Sequence, residues 1–189
     1  MFLSAGLIIG IVVVVLVVIL IAAVIGAYNK LVELRNKVKN GWSQIDVLLK
    51  RRADLIPNLV ETVKGYTKHE EGTLTAVIEA RNKAVSATTP EEAMKAEGEM
   101  TQALSKLFAL TEAYPELKAN QNYLDLQKSL EETEDKITYS RQFYNDNVLN
   151  YNNKIEMFPS NIVASIFKFE KSMFFEASEQ DREVPKVQF

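Results

Sequence analysis

The sequence has no cysteine, one histidine and one tryptophan, and its first 29 residues carry no charged side chain. The missing cysteines exclude disulfide scaffolds, thiolate zinc sites, iron–sulfur clusters and cysteine nucleophiles, and they leave the redox compartment open. The one histidine, His69, stands beside Glu70 and Glu71 with no second imidazole in the chain, so it reads as a solvated loop residue. No P-loop, dinucleotide fingerprint, paired-histidine zinc motif or nucleophile elbow is present. The expectation is therefore a protein that is not an enzyme and that has no cofactor and no metal site. A net charge of −3 gives no overall attraction to nucleic acid, which is not expected as a partner.

What is present is sharply divided. All 22 basic and 25 acidic residues lie within residues 30–189. Before them, Ala5 to Tyr28 reads AGLIIGIVVVVLVVILIAAVIGAY, which as a helix rises about 36 Å, enough to cross a bilayer with some tilt. A secretory signal would begin with basic residues and carry a shorter apolar run, and Val24-Ile25-Gly26 is only a weak cleavage site. A helix of a small soluble domain would keep a polar face, which this unbroken Val/Ile/Leu run lacks. The basic flank of Lys30, Arg35, Lys37 and Lys39, then Lys50, Arg51 and Arg52, predicts an outside amino terminus and a cytoplasmic soluble domain. Within the span, Gly6 with Gly10, and Ala22 with Gly26, repeat a small residue every four positions, which permits close helix approach in lipid.

The remainder reads as helix. Val38, Trp42, Ile45, Leu49, Ile56, Leu59, Val63 and Tyr66 recur at threes and fours, interrupted by Arg52, and no strong stop separates them from the span. Pro57 is expected to bend that helix. A second helix is predicted over 72–86. A third follows Thr88-Thr89-Pro90-Glu91-Glu92, with a threonine cap, a proline in the first turn and acids at the positive dipole end. Pro115 ends or restarts it. A fourth, over about 120–157, places Tyr123, Leu130, Ile137, Tyr144, Tyr151 and Phe158 at seven-residue steps. The architecture expected is all-α, an amino-terminal transmembrane helix continuous with an antiparallel four-helix bundle. Its parts are the span over 1–28, the bundle over 29–158 and an apolar segment and tail over 159–189. The long helices reach about 55–60 Å and the short pair about 25–40 Å, so the proximal seam needs a cover. That cover is either the carboxy-terminal segment or another copy of the chain, which makes Trp42 and Tyr151 candidate association residues together with Gly6, Gly10, Ala22 and Gly26.

Polar residues interrupt the seams: Arg52 on the first helix and Gln127, Glu134 and Arg141 on the fourth. Buried charges need partners, so Arg52, Glu134 and Arg141 are expected to form a network that fixes register. The carboxylate-bridged metal bundle is disfavoured, because the Glu-x-x-His pairs it uses are absent. After Pro159, Ile162, Val163, Ile166, Phe167, Phe169, Met173, Phe174 and Phe175 form an aromatic-rich segment that suits a lid on the bundle or a membrane-interface helix. The end of the tail, with Val187 and Phe189, could pair as an added strand with a groove on a membrane-protein partner such as a protease.

Several of these stretches resemble the LemA family. They are Tyr28-Asn29-Lys30-Leu31-Val32, Leu34-Arg35-Asn36, Trp42-Ser43-Gln44-Ile45-Asp46-Val47, Leu49-Lys50-Arg51-Arg52, Asp54-Leu55-Ile56-Pro57-Asn58-Leu59-Val60 and Val63-Lys64-Gly65-Tyr66. Glu112-Ala113-Tyr114-Pro115-Glu116-Leu117-Lys118-Ala119, Tyr144-Asn145, Tyr151-Asn152 and Phe158-Pro159 continue the match along essentially the whole chain. The resemblance implies a bacterial, single-pass inner-membrane protein with a cytoplasmic four-helix core, and it carries over no catalytic residue. It draws attention to Trp42, Arg52, Asp54, Pro57, Asn58, Glu112, Tyr114, Pro115, Arg141, Tyr144, Asn145 and Asn152. The function expected is a non-enzymatic membrane-anchored scaffold that contacts lipid and self-associates. The alternative is an adaptor whose tail binds a membrane protein.

Overall fold

The computed structural model describes residues 5–67 and 69–175. Every regular element among them is helical: α1 (Ala5–Lys64), α2 (Glu71–Ser86), α3 (Pro90–Thr111), α4 (Pro115–Lys118), α5 (Gln121–Glu156) and α6 (Ser160–Ile166). α1 is a single helix of 60 residues with Pro57 inside it, so the apolar run continues without a break into the charged sequence. It is the one helix among the described residues long and apolar enough to cross a membrane. From Leu7 to Ile21 its large side chains are all exposed, as a lipid-facing surface must be.

The short elements begin and end where local chemistry dictates. Thr89 caps α3: its Oγ1 accepts from Glu92 N at 3.2 Å, while the Thr89 N–H donates back to Glu92 Oε2 at 3.3 Å. Pro90 occupies the first turn. Pro115 restarts the chain as α4. Asn120 then starts α5, its Oδ1 accepting from Tyr123 N at 3.1 Å.

By internal contacts the described chain forms two units, to both of which α1 and α5 contribute. The larger comprises residues 41–144 with Phe175. Its core is built from Ile56, Leu59, Val60 and Val63 of α1, Leu74 and Val77 of α2, Met100, Leu104 and Leu107 of α3, Leu117 of α4, and Tyr123 and Leu130 of α5. Burying each such side chain contributes about 1.5–3 kcal/mol. Thr111 and Tyr123 share a buried hydroxyl pair at 2.8 Å, so neither polar atom is left dry and unpaired.

The smaller unit comprises residues 5–40 with 145–174. Leu31, Leu34, Val38, Val148, Tyr151, Val163, Ala164 and Phe169 are its buried apolar residues. α5 ends at Glu156, and Ser160 closes that end by donating to the carbonyls of Lys154 and Met157 at 2.7 and 2.8 Å. The seven-residue pattern runs two residues past this point. Tyr123, Leu130, Ile137, Tyr144 and Tyr151 are buried, but Phe158 is 79% exposed, because the helix that would have turned it inward has already stopped. Beyond α6 the chain is irregular and is pinned by Asn152, which exchanges two 2.9 Å hydrogen bonds with the Ser172 backbone.

Candidate functional site

Two features of the larger unit carry chemistry. The first is a buried ionic cluster. Arg52 on α1 points its Nη1 at Glu97 Oε1 on α3, 2.7 Å away, and at Glu134 Oε2 on α5, 3.1 Å away. Its Nη2 donates to Thr101 Oγ1 at 3.0 Å, and Thr101 in turn donates to Glu97 at 3.2 Å. Arg141 on α5 forms an ion pair with the same Glu97 oxygen. The side chains of Arg52 and Glu97 are only 5% and 6% exposed, whereas Glu134 is 40% exposed. Two guanidinium groups thus meet two carboxylates, and Glu97 is the shared centre. Glu97 escaped the sequence reading, although it lies three residues before Met100 and seven before Leu104 on the stripe that α3 buries. A charge on a buried stripe was the available signal. With its carboxylates held by arginines and no nucleophile beside them, the cluster suits joining three helices.

The Arg141 Nε has no hydrogen-bond acceptor among the described residues. Its Cζ lies 4.6 Å from the centroid of the Phe175 ring, so an aromatic face takes the place of an acceptor. The opposite relation of Phe175 is to Trp42, whose ring stacks on it at 6.3 Å and meets Tyr144 edge-on at 6.0 Å. α1 and α5 run close here, since a Cβ on Gly41 would already be in van der Waals contact with the Tyr144 Cα, 3.4 Å away. Burial, and secondarily Glu91, pushes the Tyr144 phenol above its ordinary pKa. The smaller unit repeats the device: the Arg35 Cζ lies 5.1 Å from the Phe169 ring centroid, and its Nε also has no acceptor among the described residues.

The second feature is a groove of about 830 Å³ between α1 and α5, lined by Ser43, Gln44, Val47, Leu48, Tyr139 and Ser140, with Glu132, Asp135 and Lys136 at its edge. Val47 is 64% exposed and Tyr139 72% exposed, both large apolar surfaces that none of the described residues covers. This is a second side of α1 from the one on which Trp42 meets Phe175.

The remaining candidates are scattered. A Cβ on Gly6, Gly10 or Gly26 would meet nothing within 4 Å, so the small-residue face is open in one chain. Tyr151 is buried within the smaller unit, and Trp42 is half-buried under Phe175, so the chain itself occupies both. Asp54, Pro57 and Asn58 are exposed on α1, away from the ionic cluster. Gln127 bonds Glu131 on its own helix. Glu112 pairs with Lys118, and Tyr114 donates to Glu70. His69 is exposed, and no group of three metal-ligating side chains occurs among the described residues. Val187 and Phe189 lie outside the described residues.

A single apolar anchor helix continued by a charged all-helical domain, held together by buried ions rather than lined by reactive groups, defines a membrane-anchored helical protein. Comparison with known sequences gives the family. The LemA family matches residues 41–189, and protein LemA of Metamycoplasma hominis is 30% identical over 84% of this chain and 73% of its own length. The chain belongs to the LemA family. It is also similar to magnetosome protein MamQ 2 of Paramagnetospirillum magneticum, 27% identical over 79% of this chain. Magnetosome protein MamQ of Magnetospirillum gryphiswaldense is 25% identical over 78%. The chain spans 64% of the length of each of these two MamQ relatives.

Proposed function

We propose that this protein is a non-enzymatic scaffold of a bacterial cell membrane, an antiparallel four-helix bundle on a single membrane anchor that associates with further copies of itself. The basic residues following the span, Lys30, Arg35, Lys37 and Lys39, favour an outside amino terminus and a cytoplasmic domain. The observation that carries self-association is the open groove beside Val47 and Tyr139. Tyr139 is an exposed aromatic lining the same groove as Val47 and Leu48, and the lining carries both signs of charge in Glu132, Asp135 and Lys136. A second copy therefore offers a knob for the cleft and complementary charge for the rim. Anchoring in one membrane raises the effective concentration of the two faces without any added contact. The open Gly6–Gly10 and Ala22–Gly26 positions supply a second contact within the lipid.

The test is the mass of the full-length protein by light scattering in mild detergent, with Val47→Asp and Gly10→Leu alongside. A defined oligomer that dissociates on Val47→Asp, with helicity unchanged, supports the reading. A monomeric parent, or an oligomer indifferent to both substitutions, overturns it.

A further inference from the structure

α6 is amphipathic on a small scale. Its inner face, Ser160, Val163 and Ala164, is buried, and Phe169 just beyond it is buried as well. Its outer face is not: Ile162, Ile166 and Phe167 are at least half exposed, as are Met157 and Phe158 just before the helix. Five large apolar side chains on so short a stretch exceed what a water-facing surface ordinarily presents together.

Their position says what covers them. Within the smaller unit, the Phe167 ring centroid is 4.8 Å from that of Tyr28, and the Phe169 ring stands edge-on to the same tyrosine at 5.7 Å. Tyr28 is the last residue of the uncharged apolar run, and Lys30 is the first charge after it. At about 1.5 Å per residue, Phe167 is thus held within one helical turn of the hydrocarbon boundary, the level at which amphipathic aromatic rings settle. The end of α6 meets α1 where its lipid-facing surface ends.

Resting on the anchored reading above, we propose that the α6 segment, residues 157–167, is a second membrane contact, lying in the bilayer interface with Phe158, Ile162, Ile166 and Phe167 among the lipid acyl chains. Charge does not drive this contact. Lys154, Lys168 and Lys171 are nearly offset by Glu156 and Glu170, and Lys171 pairs with Glu156. Zwitterionic lipid is therefore sufficient, and salt has little influence. The consequence is that the domain is held to the bilayer at two places, by a span and by a wedge, so its tilt is restricted.

The absence of cysteine makes a direct test clean. Full-length Ile162→Cys and Ile166→Cys, each carrying a fluorophore, are reconstituted into phosphatidylcholine vesicles containing lipid with a nitroxide near the headgroup. Val13→Cys in the span and Ala109→Cys, exposed on α3, bracket the scale. Several-fold stronger lipid quenching at Ile162 and Ile166 than at Ala109, with protection from aqueous iodide and no loss in high salt, is the expected result. Iodide quenching equal to that at Ala109 overturns the proposal by leaving the face in water. Shielding from both quenchers overturns it in favour of a second copy covering α6. Absence of lipid quenching at Val13 removes the anchor itself, an outcome distinct from failure at α6 alone.

Discussion

Glu97 is the residue on which the ionic cluster depends, and its removal distinguishes a buried network from surface decoration. Glu97→Ala deletes the only buried carboxylate between two arginines: Arg52 keeps Glu134 at 3.1 Å and Arg141 keeps the Phe175 ring. Breaking a buried pair by removing one partner costs about 3–5 kcal/mol, because the surviving charge stays desolvated. Glu134→Ala removes a carboxylate that water already reaches and costs about 1 kcal/mol or less. For a chain of this length about 1 kcal/mol corresponds to roughly 2–4 °C, so the two variants differ in Tm by on the order of 10 °C. The single tryptophan makes the measurement local, since Trp42 sits between Tyr144 and Phe175 in the same unit. Urea and thermal unfolding of the full-length protein in micelles, followed by Trp42 fluorescence, report the loss. The triple variant Arg52→Met, Glu97→Leu, Arg141→Leu recovers most of the stability, because a filled apolar site needs no partners. Equal losses for Glu97→Ala and Glu134→Ala would refute the reasoning.

Ile137→Asp abolishes cooperative unfolding of the helical domain by Trp42 fluorescence, because Ile137 is fully buried and the substitution replaces its apolar packing with a desolvated carboxylate. Gly41→Ala is tolerated: the new methyl makes ordinary contact with Tyr144, and alanine improves the helix by about 1 kcal/mol. Gly41→Leu forces α1 away from α5 and costs about 1–3 kcal/mol, read from urea midpoints. Tyr144 and Tyr151 ionise above the ordinary tyrosine range in an alkaline absorbance titration. Burial raises both phenols, with Glu91 adding at Tyr144 and Glu170 adding at Tyr151 against an opposing Arg35. A raised folded-state pKa stabilises fully below the unfolded value of about 10, and that stability is lost as pH climbs through the folded values. Helicity therefore falls in the same alkaline window in which these two phenols ionise, and ionisation of all tyrosines together with helicity unchanged would contradict it.

The helices were legible because their signals are local. The unbroken path from the span into the charged sequence, the Thr89–Glu92 box and the restart at Pro115 depend on residues within one turn of one another. The α5 stripe was legible as far as the helix lasts, and it misled only at Phe158, where the chain has left helical geometry. The cluster was half legible. Arg52, Glu134 and Arg141 stand out as charges flanked by large apolar residues on their stripes, whereas Glu97 stands at the start of its stripe, with Ala96 the one buried apolar residue before Met100. The two arginine–phenylalanine pairs were not legible at all. Arg35 meets Phe169, and Arg141 meets Phe175, through the irregular chain after α6, whose path rests on the Asn152–Ser172 hydrogen bonds. No periodicity encodes an irregular segment that takes its course from a helix residue twenty positions earlier.

That segment changes how the seam of α1 is understood. Helix lengths alone implied one uncovered seam and two rival covers, the chain's own carboxy-terminal segment or another copy. In the larger unit the two covers cease to be rivals. Phe175 lies between Trp42 and Arg141 and closes one side of α1, while Val47 and Tyr139 remain open on another. A copy docking at Val47 displaces none of the described residues, so it leaves the packing of Trp42 in place. An interface that had to evict Phe175 would lose the Trp42 stack and the Arg141 cation–π contact, each worth about 0.5–1.5 kcal/mol, before gaining anything. The groove at Val47 is for that reason the face on which self-association is energetically simplest, and Trp42, for all its prominence in the sequence, is spent on the fold.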